Sequence, residues 1–504
     1  MSGLADDLPA LVVVVPLLAA LAVAVFGRGG RAWALTAAAT TAVFGLSAAL
    51  AAEVLASGVR SYTFGGWEPV ELVGAIGPVP IGIEYRVDAL NALVLLVVAG
   101  ISAVVTPYAR LTVAREVPAD RAHLFYATYL LCVTGLLGIT ITGDAFNLYV
   151  LLEISSLTTY ALVAMGKGAD RRALTASFSY LVMGTVGASF LLVGIGYLFL
   201  ATGTLNMADM SRELAALGPN QTVTTAFGMI LVGLTIKMAL FPLHQWLPNA
   251  YTYAPTAVTA LLASTATKVG VYVALRFFFT IFGPTFALEN FAAEVVTLLA
   301  CLAILHGSLM AIQQTDVKRL LAFSSVAQIG YMALGIGLHT STGLTGSLLH
   351  LINHALVKGA LFMAAGAVLY RTGLRDLRGL RGLWRTMPAT AAVLTVACLG
   401  LVGVPLTGGF VSKWYLVGGA LELGKWHVAA VVLIGSLLAV VYALRLLEPM
   451  VFDAPEEAVG EAPPSLVLPA GLLALGSVVF GVVGGGPTAQ ALVAQAVAAL
   501  QGGG

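Results

Sequence analysis

Apolar residues run in blocks along almost the whole chain, from Pro9 to Val483, with polar residues gathered in short joints between them. A helix needs about 20 apolar residues to cross a bilayer, so each block reads as a spanning helix. About fourteen are expected, starting near residues 8, 32, 86, 122, 145, 173, 224, 254, 290, 317, 344, 389, 427 and 466. The first block, Leu11 to Phe26, follows Asp6 and Asp7 with no basic stretch before it and is expected to be a retained helix, not a signal peptide. The longest joint, roughly Glu53 to Tyr85, is Gly/Pro-rich and too short for a soluble domain. The expected fold class is therefore an all-α polytopic membrane protein.

Composition agrees with this reading. With 59% of 504 residues hydrophobic, 10% charged and a mean hydropathy of +0.96, the chain lies outside the soluble globular range. A net charge of +1 offers no basic face for nucleic acid, and the partner it implies is the lipid bilayer. Cys132, Cys301 and Cys398 stand alone in apolar stretches and read as small core residues, not metal or cluster ligands.

The placement of the 25 Lys and Arg residues orients the blocks. Sixteen fall on one side: Arg28, Arg31, Arg110, Arg115, Arg121, Lys167, Arg171, Arg172, Lys318, Arg319, Arg371, Arg375, Arg378, Arg381, Arg385 and Arg445. Five fall on the other: Arg60, Arg86, Arg212, Arg276 and Lys425. Cations collect in cytoplasmic joints, which puts both termini outside and requires an even number of spans. Four lysines remain, Lys237, Lys268, Lys358 and Lys413, all inside apolar blocks, as is Glu153 in "FNLYVLLEISSLTTYALVA".

A charge near the bilayer centre costs at least about 2.5 kcal/mol, so five of them need a compensating role. Either the ions pair between helices and fix their packing, or they carry protons. Four amines cannot all be neutralised by one carboxylate. Desolvation disfavours the charged amine, so such a lysine can gain and lose a proton in turn, which an arginine cannot. This points to proton carriage by Lys237 and Lys268, biased by Glu153.

Two charged blocks also have broken helices. In "LVGLTIKMALFPLHQWLP", Pro242 and Pro248 lack N–H groups and are expected to free backbone carbonyls beside Lys237. "LGLVGVPLTGGFVSKWYL" repeats the theme with Gly403, Pro405, Gly408, Gly409 and Lys413. Paired interruptions in corresponding halves point to an inverted-repeat transporter, the alternative being two unrelated kinks that serve packing. Between them, "HLINHALVKGALF" puts His350, His354 and Lys358 on one helix face, a stripe suited to a proton relay because histidine titrates near neutrality; a satisfied structural histidine is the competing reading, more so for His350, nearer the helix start. A zinc site there lacks a third ligand and faces an opposing cation. Ser264, Thr265 and Thr267 surround Lys268 with hydroxyls that serve either as water holders or as small packing residues. His244 and Tyr251 to Tyr253 follow the first break, where they line an entrance or form an interfacial aromatic belt. There is no GxxxxGK[ST], no CxxCH and no hydrolytic triad, so no cofactor is expected. The chain is read as a transporter subunit, not an enzyme, with its energy coming from an ion gradient or from partner subunits.

Taken in order, "LLEISS", "LTIKMALFPLHQWLPNAYTYAPT", "ASTATKVGVY", "HLINHALVKGALF" and "GGFVSKWYL" resemble the proton-conducting, antiporter-like membrane subunits shared by respiratory complex I and Mrp multisubunit Na+/H+ antiporters. The resemblance covers nearly the whole chain. It implies fourteen helices in two inverted five-helix repeats, with the seventh and twelfth helices broken. The corresponding divisions are an N-terminal three-helix segment (1–120), two antiporter-like repeats (121–280 and 281–450), and a linker with the last helix (451–504). It also implies that Glu153 and Lys237 form a modulating pair and that Lys268 passes protons inward. His354 and Lys358 would then continue the axis, with Lys413 facing the far half-channel; His350, His244 and Thr267 are secondary candidates. Partners would be other membrane subunits in a bacterial or archaeal cell membrane, and the ions protons and Na+. Complex I's M-type subunits usually have Glu where Lys413 stands, and the L-type and Mrp A subunits carry long C-terminal extensions that this chain's end at "LQGGG" does not supply. "GVPLTGGFVSKWYLVGGALELGKW" is more similar to the Mrp D class than to the complex I N-type. Subunits of membrane hydrogenases and bicarbonate-uptake complexes share the pattern. A reading of another class is a structural membrane anchor whose ionisable residues only pin helices.

Overall fold

The computed structural model describes residues 6–67, 70, 81–166, 171–218, 220–456, 459–484 and 486–502. Lys167 and the middle of the Glu53–Tyr85 joint lie outside them. The chain opens with α1 (Leu8–Phe26), α2 (Gly30–Ser57) and α3 (Ala89–Glu116). Between α2 and α3, β1 (Arg60–Thr63) pairs antiparallel with β2 (Glu84–Val87), Arg60 opposite Val87 and Thr63 opposite Glu84. This small hairpin was not expected from an all-α reading.

A first group of helices follows: α4 (Ala122–Ile141), α5 (Ala145–Ala164), α6 (Arg172–Thr202), α7 (Met207–Leu217), α8 (Gln221–Met238), α9 (Trp246–Tyr253), α10 (Thr256–Ser264) and α11 (Ala266–Leu275). A π-helical turn, Arg276–Ile281, prolongs α11. The second group is α12 (Pro284–Glu289), α13 (Ala292–Ile312), α14 (Val317–Leu338), α15 (Ser341–Thr372), α16 (Leu383–Thr386), α17 (Pro388–Val402), α18 (Gly408–Glu422) and α19 (Trp426–Phe452). α20 (Pro464–Val483) and α21 (Gly486–Leu500) close the chain. Among the described residues, thirteen helical stretches are long and apolar enough to span a bilayer. The interrupted pair α17–α18 supplies the fourteenth crossing. α21 lies beyond the last expected span; its apolar positions Leu492, Val493, Ala496 and Val497 are buried.

Helix starts follow local chemistry. Asp88 accepts hydrogen bonds from the Leu90 and Asn91 backbone, and the Asn91 side chain accepts one from the Asp88 nitrogen, closing a capping box at α3. Asp144, Asn206, Asn220, Asp316 and Thr340 cap α5, α7, α8, α14 and α15 through their side chains. Small residues then let helices close up, the usual route to packing where lipid removes the hydrophobic drive. A Cβ on Gly307 of α13 would stand 2.5 Å from the Ala327 nitrogen of α14, so only glycine permits that approach. α14 is fully enclosed, and α10, α11 and most of α15 are nearly so. α6, α19 and α20 instead turn residues such as Phe178, Leu437 and Leu468 outward.

Two cations taken as loop residues are inside the bundle. Lys318 is 5% exposed, in the first turn of α14, and its amine donates to the Ala254 carbonyl at 2.7 Å. Arg276 is 7% exposed and pairs with Asp88 at 2.5 Å, while bonding to Asn91 and Tyr272. The sequence places both at block edges, where one helical turn separates water from protein interior.

Candidate functional site

The first helix break sits beside Lys237. α8 ends at Met238, and Ala239 turns left-handed with φ 58°. The peptide bond to Pro242 is cis. The carbonyl of Ile236 accepts from the Trp246 indole at 2.9 Å and from the Ala239 nitrogen at 3.0 Å. Pro248 does not break a helix as expected. It lies in the first turn of α9, where its missing N–H costs nothing, and the His244 carbonyl accepts from the Leu247 nitrogen at 3.0 Å. The Lys237 amine lies 3.0 Å from the Ser156 hydroxyl and 3.6 Å from the Glu153 carboxylate, groups one turn apart on α5. Ser155, Ser156, Thr159 and Lys237 line a 40 Å³ cavity between α5, α8 and α11, large enough for a water molecule.

Lys268 also stands at a break, one that the sequence does not announce. The eighth span divides at Thr265, whose φ of −127° and ψ of −58° separate α10 from α11. The Lys268 amine turns back onto the Ala263 carbonyl near the end of α10. At the second expected break, α17 ends at Val402, and Gly403 and Leu406 adopt φ of 87° and 75°. The Lys413 amine donates to the carbonyls of Val402 at 2.8 Å and Leu401 at 3.4 Å. Both amines thus occupy the negative ends of half-helices, where unpaired carbonyls and the helix dipole favour a cation.

α15 bridges these two amines. Lys358 bonds to the Leu321 carbonyl at 2.8 Å and to the Ser324 hydroxyl, both on α14. One turn before it is His354, 1% exposed, with no protein group within hydrogen-bond reach of either ring nitrogen. His350 stacks on His354 at a ring separation of 6.2 Å and meets the Ser412 hydroxyl at 2.9 Å, next to Lys413. Tyr331 lies under the Lys413 amine at 4.7 Å and near His350 at 5.3 Å. Lys268 interacts electrostatically with Lys358, His354 and His350, and His350 with Lys413. Lys268, His354, Lys358, His350 and Lys413 therefore form one electrostatic neighbourhood. Lys237 approaches it where Met238 packs on Gly270, two residues from Lys268.

The other candidates fall outside that line or at its edges. Thr267 is 3.5 Å from the Lys268 amine. His244 stacks on Phe241 and stands edge-on to His306 at 5.1 Å. Of the tyrosines expected at an entrance, Tyr253 lines a 330 Å³ polar cavity with Arg115, Glu116, Lys318 and Arg375 at the Arg-rich face. Glu116 accepts from the Thr256 nitrogen and hydroxyl at the start of α10. Ser156, Ser324, Ser412, Tyr331 and Lys318 are not singled out by the sequence, because a hydroxyl or an edge cation carries no cost that marks it out. No cluster of three metal-ligating side chains occurs among the described residues.

Comparison with known proteins places the chain in a family. Residues 142–439, more than half of the chain, match the family described as NADH:quinone oxidoreductase/Mrp antiporter, TM. The NADH-quinone oxidoreductase subunit N of Desulforudis audaxviator is 43% identical over 446 residues, 88% of this chain and 86% of that protein. The D-type subunit of the Na+/H+ antiporter of Alkalihalophilus pseudofirmus is 31% identical over 397 residues, 79% and 77% of the two chains. The solved Mrp complex from Dietzia sp. contains a chain that superposes with a TM-score of 0.88 at 26% identity, covering 99% of this chain and 98% of that one. The chain is an antiporter-like, multi-pass membrane subunit and belongs to the NADH:quinone oxidoreductase/Mrp antiporter family.

Proposed function

We propose that this subunit translocates protons along Glu153–Lys237, Lys268, His354–Lys358 and His350–Lys413, as part of a hetero-oligomeric membrane complex that exchanges Na+ for H+. The observation carrying this reading is the row of groups on α15: buried His354, with Lys358 one turn on and His350 one turn back, where His350 meets Ser412 beside Lys413. Two amines stacked against half-helix carbonyls can each be held as the cation or released as the base, and alternation between these forms passes a proton along. Serine hydroxyls at 156, 324 and 412 stand where they can orient the exchanging amines and ring.

In this reading the Arg-rich joints face the cytoplasm of a bacterial or archaeal cell. Ser341→Cys, on the opposite face, is expected to give a thiol that reacts with an impermeant maleimide from outside; labelling only after lysis reverses the orientation.

The decisive test is exchange in vesicles containing the reconstituted complex. Glu153→Ala and Lys237→Ala should each abolish Na+-driven proton movement while the complex assembles normally. Exchange that survives in both variants supports the anchor reading instead. A second reading, proton pumping within a redox-driven complex, is favoured by the 43% identity to a relative named NADH-quinone oxidoreductase subunit N. Co-purification of cysteine-rich redox subunits with this chain would establish it; their absence together with Na+-driven exchange supports the antiporter.

A further inference from the structure

A cavity of 1220 Å³ opens sideways from the bundle between α2, α3, α15, α17, α20 and α21. It is unrelated to the line of amines, and small residues make it: Gly100, Ala355, Ala392, Gly471 and Ala489 leave room where larger side chains would interdigitate. Its mouth is open to the surroundings, with Phe44 42%, Leu472 59% and Leu468 69% exposed. On α3 the lining runs from Leu93 to Pro107 at spacings of three and four, a stripe about 21 Å long at 1.5 Å per residue. That exceeds the roughly 15 Å depth of one hydrocarbon leaflet. α21 covers the end near Leu93, where Thr488, Ala489 and Leu492 join the wall.

The other end is charged. One turn past Pro107, the exposed Arg110 guanidinium lies over the Trp33 ring at 4.7 Å. The Trp33 indole donates to the Thr106 carbonyl at 3.0 Å, fixing the ring at that depth. Arg28, in the joint before α2, and Arg31, in its first turn, add exposed positive charge on the same side. A tryptophan with arginines at the end of an apolar stripe marks the level of lipid headgroups. An apolar slot that runs past mid-bilayer and finishes in three cations is complementary to an anionic lipid with long tails.

We propose that this groove holds one anionic diacyl phospholipid, with its phosphate at Arg110 and Trp33 and its acyl chains against α3, α15 and α20 beneath α21. The lipid fills the space between the N-terminal segment and the last helices that protein side chains leave open.

The test uses the intact complex in phosphatidylcholine vesicles doped with phosphatidylglycerol bearing a photoactivatable diazirine in one acyl chain. The matching phosphatidylcholine probe is run in parallel. Label is expected at Ile352–Leu356 on α15 and near Leu472 on α20. It should be about fivefold stronger from phosphatidylglycerol, the preference that one surface arginine confers. Arg110→Gln, an exposed change that should leave folding intact, should cut that preference severalfold. Equal labelling by both probes in the unaltered protein overturns the proposal. So does the absence of label at Ile352–Leu356 when outward residues such as Leu437 are labelled, an outcome meaning that a protein segment fills the groove.

Discussion

His354 and Lys413 separate the roles that a buried polar residue can play. His354 has no hydrogen bond to another protein group, so His354→Gln removes no bond between side chains or to the backbone and should leave the stability of the purified complex, followed by thermal unfolding, within about 1 kcal/mol of the unaltered protein. Its exchange rate should nonetheless fall roughly 100-fold, the usual scale for losing a proton-transfer group. A large fall in stability with normal exchange would make the residue structural. Lys413 supplies a complementary case. An arginine there can still donate to the Leu401 and Val402 carbonyls but stays protonated throughout. Lys413→Arg is therefore expected to assemble fully and to exchange no better than Lys413→Ala, as followed by a pH-sensitive dye inside vesicles.

At the level of elements, the design repeats: a helix stops, its last carbonyls point into the bundle, and an amine from the next segment covers them. Gly403 makes one such stop possible. Its φ of 87° suits glycine, and a Cβ there would press on the Gly409 backbone and the Lys413 side chain, each at 3.2 Å. Gly403→Ala should cost roughly 1–3 kcal/mol, visible as a lowered unfolding midpoint, with exchange falling because Lys413 is displaced. The breaks at Pro242 and Gly403 were legible from the sequence, since proline and clustered glycines interrupt helices by known rules. The break at Thr265 was not. Ser and Thr are tolerated inside membrane helices, so nothing in "LLASTATK" separates an interrupted helix from a continuous one.

For the molecule as a whole, the buried Arg276–Asp88 pair ties the N-terminal helices to the eighth span. Removing one partner strands a charge in the interior. Arg276→Met alone should therefore destabilise the protein by about 3–5 kcal/mol, measured by thermal unfolding in detergent. Adding Asp88→Asn should recover a large part of that loss, because the stranded charge goes while a side-chain oxygen still caps α3. If the double variant is as unstable as the single one, the pair is not what holds these segments together. The same helices flank the lipid groove, so this corner of the molecule joins an ionic tie at one end to an apolar gap along its length.

Several features were written in the sequence. Block length against bilayer thickness determined the number of crossings, and the five charges inside blocks drew attention to themselves through their insertion cost. Periodicity put His350, His354 and Lys358 on one face. Tertiary structure alone decided which groups meet. Ser156, Ser324 and Ser412 became partners of the key amines and imidazole only when α5, α14 and α18 packed beside α8 and α15. Arg276 and Lys318 changed from loop cations to buried ones for the same reason. Partnership depends on distances between helices far apart in the chain, and a sequence pattern encodes the face of a helix but not the neighbour it turns towards.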